Sequence, residues 1–181
     1  GERAKLLGRA GTPALGVSLK IKEDGEICAR SNHVLKGYWN QPEATHEAIQ
    51  DGWFRTGDGG FFDDNNYVTI ADRKKDVIIS GGENVSSIEV EDVLFSHEQV
   101  IEVAVIGVPD EKWGETVKAL VVTEGSISEQ KLIEFCRSKL AHYKCPTTIE
   151  FRDELARTAT GKLQKYKLRA PYWEGHEKQV N

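Results

Sequence analysis

Asp72-Arg73-Lys74-Lys75-Asp76-Val77-Ile78-Ile79-Ser80-Gly81-Gly82-Glu83-Asn84 is the stretch on which the chain turns. Its first residues, Asp72 to Asp76, are all charged and call for water, whereas Val77-Ile78-Ile79 has the β-branched composition of a half-buried strand. Gly81-Gly82 then frees the backbone and leaves room for close approach by another group. Strand patterns precede the stretch and helical patterns follow it. It reads as a joint with a ligand loop attached.

Before the joint, residues 8–70 alternate short strand patterns with turn chemistry. Val17 to Ile21 alternates apolar and polar, Glu23-Asp24-Gly25 is a turn, and Glu26 to Ala29 is a second strand. A turn at 37–42 leads to a brief helix over 43–50. Trp53 to Thr56 is strand-like and is expected to end in a turn at Gly57-Asp58-Gly59-Gly60. Asp63 to Asn66 reads as a hairpin turn into Tyr67 to Ile70.

After the joint, Ser86 and Glu89 form a capping box, with Val85 and Val90 as its hydrophobic staple. Val90, Val93 and Leu94 mark the apolar face of a helix to about His97. Val103 to Val108, closed by Pro109-Asp110, and Val117 to Thr123 are buried-strand runs. Ser128 caps a helix with Leu132, Ile133, Cys136 and Leu140 on one face. Thr148 to Phe151 is a third strand, 153–161 a loop, and Leu163 to Arg169 a short basic helix. The order predicts an α+β unit with a three-stranded sheet. Residues 173–181 read as a frayed polar end.

Composition narrows the function classes. A 181-residue chain that is 39% hydrophobic and 29% charged has the make-up of a globular protein with a real core. Its net charge of −5 argues against general nucleic-acid binding. Basic clusters at 73–75 and 162–169 remain candidate anion sites. No run approaches the roughly 18 apolar residues of a membrane span. Cys28, Cys136 and Cys145 show no metal-ligand or CxxC spacing, and their odd count suits reduced thiols in a cytoplasmic protein. The histidines are scattered, so no protein-only zinc site is expected. A chain that opens on Gly and contains no Met is expected to be a fragment.

Two local constellations could carry chemistry. Asp58 either caps the amides of its turn or accepts a pair of hydroxyl groups, since an ionised carboxylate only accepts. Lys162, after Thr158-Ala159-Thr160-Gly161, is either a surface lysine or a point charge for phosphate or carboxylate. It is not a P-loop: Ala156 and Leu163 break the pattern at both ends. Trp113 reads as packing.

The motifs together are more specific than any alone. Trp53-Phe54-Arg55-Thr56-Gly57-Asp58, then Asp72-Arg73-x-Lys75-Asp76 with Gly81-Gly82-Glu83-Asn84-Val85, then Leu155-x-Arg157-Thr158-x-x-Gly161-Lys162 occur in order. With Gly37-Tyr38, Pro42, and Val108-Pro109-Asp110-Glu111-x-Trp113-Gly114-Glu115, the set resembles the acyl-adenylate-forming enzymes. The likeness runs from Gly8 onward and covers only the C-terminal part of such an enzyme. It implies that residues 1–74 are the β-rich end of a large N-terminal domain and residues 75–181 a small mobile C-terminal domain.

The resemblance also implies an activity and roles. A carboxylic acid and ATP give an acyl-adenylate and pyrophosphate; a thiol then takes the acyl group. Coenzyme A is the acceptor that the runs at 108–115 and 165–169 favour, and a fatty acid the favoured substrate. The alternatives are an adenylation domain loading a carrier-protein thiol, or a non-catalytic nucleotide- or protein-binding module. Asp58 and Arg73 match ribose contacts, Ile70 an adenine contact, and Lys162 the lysine that bridges carboxylate and α-phosphate. Acetylating that lysine would remove its charge. Lys75 matches the hinge, and Gly81, Gly82 and Glu83 border the pantetheine path of coenzyme A. Mg2+ would be held through the phosphates and by residues upstream. The missing N-terminal domain is the implied partner, and without it the fragment is expected to be inactive. Ala156 stands where the family has a proline, which predicts a looser Lys162 loop.

Overall fold

The structure, a computed structural model, describes residues 10–176. It divides into two compact units, one ending at Lys75 and the other beginning at Asp76. The first contains β1 (Ser18–Ile21), β2 (Glu26–Arg30), helix α1 (Pro42–Ala48), β3 (Ile49–Gln50), β4 (Trp53–Phe62) and β5 (Val68–Arg73). They form one antiparallel sheet in the order β1-β2-β4-β3, with β5 also on β4. Asp63 makes the β4–β5 turn by accepting the amides of Asn65 and Tyr67, both at 2.9 Å. Ile27, Cys28 and Val68 are its buried apolar residues.

One expectation fails in this unit. Residues 57–60 are not a turn but the middle of β4. The strand stays paired by slipping register, between Glu26 and Cys28 on one side and between Gly59 and Gly60 on the other. A Cβ on Gly60 would stand 2.4 Å from the Thr69 carbonyl oxygen and 2.8 Å from Ile27 Cδ1. Glycine here admits close neighbours at a bulge instead of reversing the chain.

The second unit contains β6 (Ile78–Ser80), β7 (Glu83–Val85), α2 (Ser87–Phe95), β8 (Val100–Asp110), β9 (Gly114–Thr123), α3 (Glu129–Arg137), β10 (Thr148–Phe151) and α4 (Lys165–Trp173). It is α+β as expected, but its sheet has five strands instead of three, in the order β10-β9-β6-β7 with β8 along β9. The added strands are the β6–β7 hairpin. Gly81 and Gly82, at φ +61° and +87°, close it as a two-residue turn that needs positive φ at both positions. β10 runs parallel to β9 through α3, and the other pairs are antiparallel.

Both capping serines act as the sequence predicts: Ser86 accepts from the Glu89 amide and Ser128 from the Lys131 amide, each at 3.4 Å. α2 and α3 close one sheet face over Ile78, Val90, Leu94, Val105, Ala119 and Leu132. Leu168 and Tyr172 of α4 pack on the Ala104–Ile106–Leu120 cluster. Helices on both faces explain the nearly unbroken apolar runs in β8 and β9. That packing also carries α4 past the predicted stop at Arg169, through Pro171 to Trp173. Of the stretch expected to fray, 177–181 lies outside the described residues.

All three cysteines are buried free thiols, and burial pushes the Cys136 thiol up to about 12. Thiolate, the reactive form, is therefore scarce and inaccessible. Titration of the folded chain with a chromogenic disulfide at mildly alkaline pH is expected to find no fast thiol, and all three after denaturation. A rapid native thiol would contradict this packing.

Candidate nucleotide and thiol sites

In the first unit, the Gly59–Gly60 register slip decides which side chains share a face. Asp58 pairs with Arg73, Gly59 with Asp72, and Gly60 with Ile70, leaving Ala71 as the extra residue. Side chains alternate along a strand, so the first and third pairs project the same way. Ile70 and Arg73, three apart, would lie on opposite faces of a regular strand. The bulge gathers Asp58, Ile70 and Arg73 on one face. Asp58 Oδ1 lies 3.4 Å from Arg73 Nε, and both remain partly open to solvent. Ile70 is 45% exposed, which is unusual for an isoleucine in mid-strand.

A residue the sequence did not single out holds β4. Glu26 is 2% exposed. Its Oε2 accepts from Arg55 Nε at 3.0 Å, with Arg55 Nη2 at 2.9 Å. Its Oε1 accepts from the Gly57 amide at 3.1 Å. That hydrogen bond from Arg55 also holds the guanidinium more firmly protonated. Thr56 Oγ1 donates to the Ile27 carbonyl at 2.7 Å and accepts the Asp58 amide at 3.1 Å. Asp58 is thus set by two hydrogen-bonded neighbours. The available signal was a lone carboxylate in the apolar Glu26-Ile27-Cys28-Ala29 strand.

Lys74, Lys75 and Asp76 make one 3-10 turn at the boundary of the units. Lys74 Nζ lies 2.8 Å from Asp24 Oδ2, and this hydrogen bond holds the Asp24 carboxyl below its usual range.

In the second unit, the Gly81 amide donates to the Trp113 carbonyl at 2.9 Å. The Trp113 ring lies 2.7 Å from where a Gly81 Cβ would stand. Packing is what the sequence predicted for Trp113. The ring also lines a cleft of about 800 Å3 with Ile79, Gly82, Glu115, Tyr172 and Trp173. Glu83 follows on β7 and is exposed.

Lys162 lies on a different turn, also exposed. Arg157 and Leu163 bridge across it. The Thr158 amide donates to the Lys162 carbonyl at 2.8 Å, and the Lys162 amide donates to Thr158 Oγ1 at 3.0 Å. Arg157 donates to the Gly161 carbonyl at 2.8 Å while paired with Glu102, also at 2.8 Å. The Gln164 amide donates to the carbonyl of Ala156 at 2.8 Å. These bonds tie the loop across its base beside Ala156. Among the described residues, no group of three or more His, Cys, Asp or Glu side chains could hold a metal.

Known proteins resemble this chain along most of its length. Residues 89–162 match the family described as the AMP-binding enzyme C-terminal domain. The long-chain-fatty-acid–CoA ligase FadD13 of Mycobacterium tuberculosis is 51% identical over 150 residues, covering 82% of this chain and 30% of the relative. The 2-succinylbenzoate–CoA ligase of Bacillus mycoides is 42% identical over 172 residues, covering 90% and 36%. The crystal structure of ATP-bound MatB from Rhodopseudomonas palustris superposes with a TM-score of 0.88 at 36% identity, over 94% of this chain and 37% of that one. The chain spans about a third of the length of the curated relatives it matches.

The Glu26 anchor yields a direct expectation. Glu26→Ala leaves the Arg55 guanidinium and the Gly57 amide without their acceptor. Removing one partner of a buried pair costs about 3–5 kcal/mol; with Arg55 one-third exposed, about 2–3 kcal/mol is expected. Urea unfolding of the chain measures it. A loss within about 0.5 kcal/mol, the range of an ordinary surface substitution, would contradict the anchoring role.

Proposed function

We propose, for a chain that belongs with the AMP-binding enzymes and carries their C-terminal domain at residues 89–162, that it serves as the C-terminal portion of an ATP-dependent acyl-CoA ligase. The observation that carries this is the bulge that sets Asp58, Arg73 and Ile70 on one face. A carboxylate flanked by a guanidinium suits the two ribose hydroxyls, and an exposed isoleucine beside them suits the face of a purine. Arg73 orients Asp58 and also offers donors of its own.

Two transfers follow. The substrate carboxylate attacks the α-phosphorus of ATP and pyrophosphate leaves; the thiol sulfur of coenzyme A then attacks the acyl carbon and AMP leaves. Lys162 serves the first transfer, its ammonium drawing carboxylate and α-phosphate oxygens together as charge builds on them. A tied turn suits that task, because a fixed cation costs no reorganisation in the transition state. The β6–β7 turn serves the second. Gly82 lines the 800 Å3 cleft with nothing within 4 Å of where its Cβ would stand, the Trp113 ring covers Gly81, and Glu83 follows on β7. Lys75, at the boundary of the units, is the pivot that exchanges the two faces. Mg2+ would ride on the nucleotide phosphates, since no cluster among the described residues suits it.

A CoA thioester is favoured over a carrier-protein thioester by the relatives, which are named as CoA ligases. A fatty acyl substrate is the first to try, given 51% identity to a long-chain-fatty-acid–CoA ligase; a cytoplasmic protein is the expected setting.

Half-reactions test these roles. This chain alone is expected to show no ATP–pyrophosphate exchange with any carboxylic acid, and robust exchange would refute the portion reading. In the full-length protein, Lys162→Ala is expected to lower exchange on the order of 100-fold or more, while thioester formation from supplied acyl-adenylate continues. Lys75→Pro is expected to do the reverse. Equal losses in both half-reactions, for either variant, would remove the role assigned to it.

A further inference from the structure

The basic run at the end of the chain, expected to be a solvated helix, turns two of its cations inward. Lys165 opens α4 and is only 13% exposed. Its Nζ lies 2.8 Å from Glu91 Oε1 and 2.6 Å from Ser87 Oγ, both on α2. The same Glu91 oxygen accepts the Val105 amide of β8 at 2.7 Å. Arg169, one helical turn on, is 17% exposed and lies 3.5 Å from Asp76 Oδ1, itself 11% exposed. Residues four apart share a helix face, so one face of α4 carries both ties. Farther along, Trp173 Nε1 donates to the Gly107 carbonyl at 3.0 Å. The helix is therefore pinned at its start, middle and end.

The middle tie reaches an informative place. Asp76 is the first residue of the second unit and follows Lys75 directly. On the other side, Lys74 is tied to Asp24 within the first unit at 2.8 Å. Each neighbour of Lys75 is thus ion-paired into its own unit. A pivot is sharp only when both flanks are stiff; if Asp76 were loose, rotation would spread into Val77 and β6.

We propose that Arg169 and Lys165 are positioning residues, and that α4 is a strut. Arg169 fixes Asp76, which confines the swing to Lys75. Lys165 fixes the start of α4 three residues after Lys162, so the lysine turn and the hinge flank move as one body. The two ties differ in strength. Lys74–Asp24 is largely solvated and contributes little on its own, whereas Asp76–Arg169 is largely shielded, so its loss leaves a carboxylate buried without this partner. The Arg169 side is where substitution is felt.

The swing about Lys75 and its catalytic consequence rest on the ligase reading; the clamp on Asp76 does not. Hydrogen exchange on this chain tests the mechanical part. Arg169→Gln is expected to speed exchange of the Asp76 to Ile79 amides at least about tenfold, with the β9 amides unchanged, and Arg169→Lys to restore most of the protection. Unchanged exchange at 76–79, or a uniform increase over both regions, would overturn the clamp. In the full-length protein, Arg169→Gln is expected to lower the kcat of adenylation on the order of 10- to 100-fold with the KM for ATP unchanged, because the ribose face lies in the other unit. A raised KM with kcat unchanged would also overturn it. Wild-type protein with no adenylation at all, beside the expected exchange pattern, would instead count against the ligase reading.

Discussion

One oxygen of Glu91 joins three elements of the second unit. It takes the amide of Val105 from the open side of β8 and the ammonium of Lys165 from α4, while its backbone belongs to α2. Each group would be costly in this largely shielded place without the others: an edge amide without an acceptor, a carboxylate without a donor, a lysine without a counter-charge. Together they satisfy one another and cap an edge strand that would otherwise invite pairing. Glu129 treats β10 in the same way, accepting the Ile149 amide at 2.7 Å. The position of α4, and with it the lysine turn before it, follows from the Glu91 contact.

The first unit solves a different problem with a different device. The face proposed for recognition brings a carboxylate, a guanidinium and an apolar side chain together on a sheet whose regular alternation would separate them. A one-residue bulge in β5, opposite adjacent glycines of β4, supplies the shift, and Glu26 holds β4. Both devices serve the proposed chemistry by fixing groups before substrate arrives. Lys75, the last residue of the first unit, is the place proposed for the change of backbone.

Much of this was legible along the chain. The change at 72–84 was visible because charge density, β-branching and a glycine pair follow one another within a few residues. Both capped helices were visible because a cap and its periodic face are local. What stayed hidden depends on partners distant in sequence. Nothing near Lys165 or Arg169 announces that Glu91 and Asp76 will receive them, so a basic helix reads as a solvated one. The glycines at 57–60 look like a turn, and only the packing of Thr69 and Ile27 shows that they make room inside a strand. Gly81-Gly82 was seen as open backbone, but not as the hairpin turn that adds two strands to the sheet. Asp58, Arg73 and Ile70 could be nominated by resemblance, yet spacing alone would have set two of them on opposite faces.

In the proposed cycle, a swing about Lys75 exchanges the lysine turn for the glycine turn. The most direct measurement is the distance between the units in solution, by electron–electron double resonance on the full-length protein with Asn65→Cys and Glu134→Cys as label sites. Both positions are exposed, and the native cysteines are buried. Two discrete distances are expected, one favoured by a bound acyl-adenylate analogue and the other by AMP with coenzyme A. A single distance, the same under both conditions, would contradict the swing.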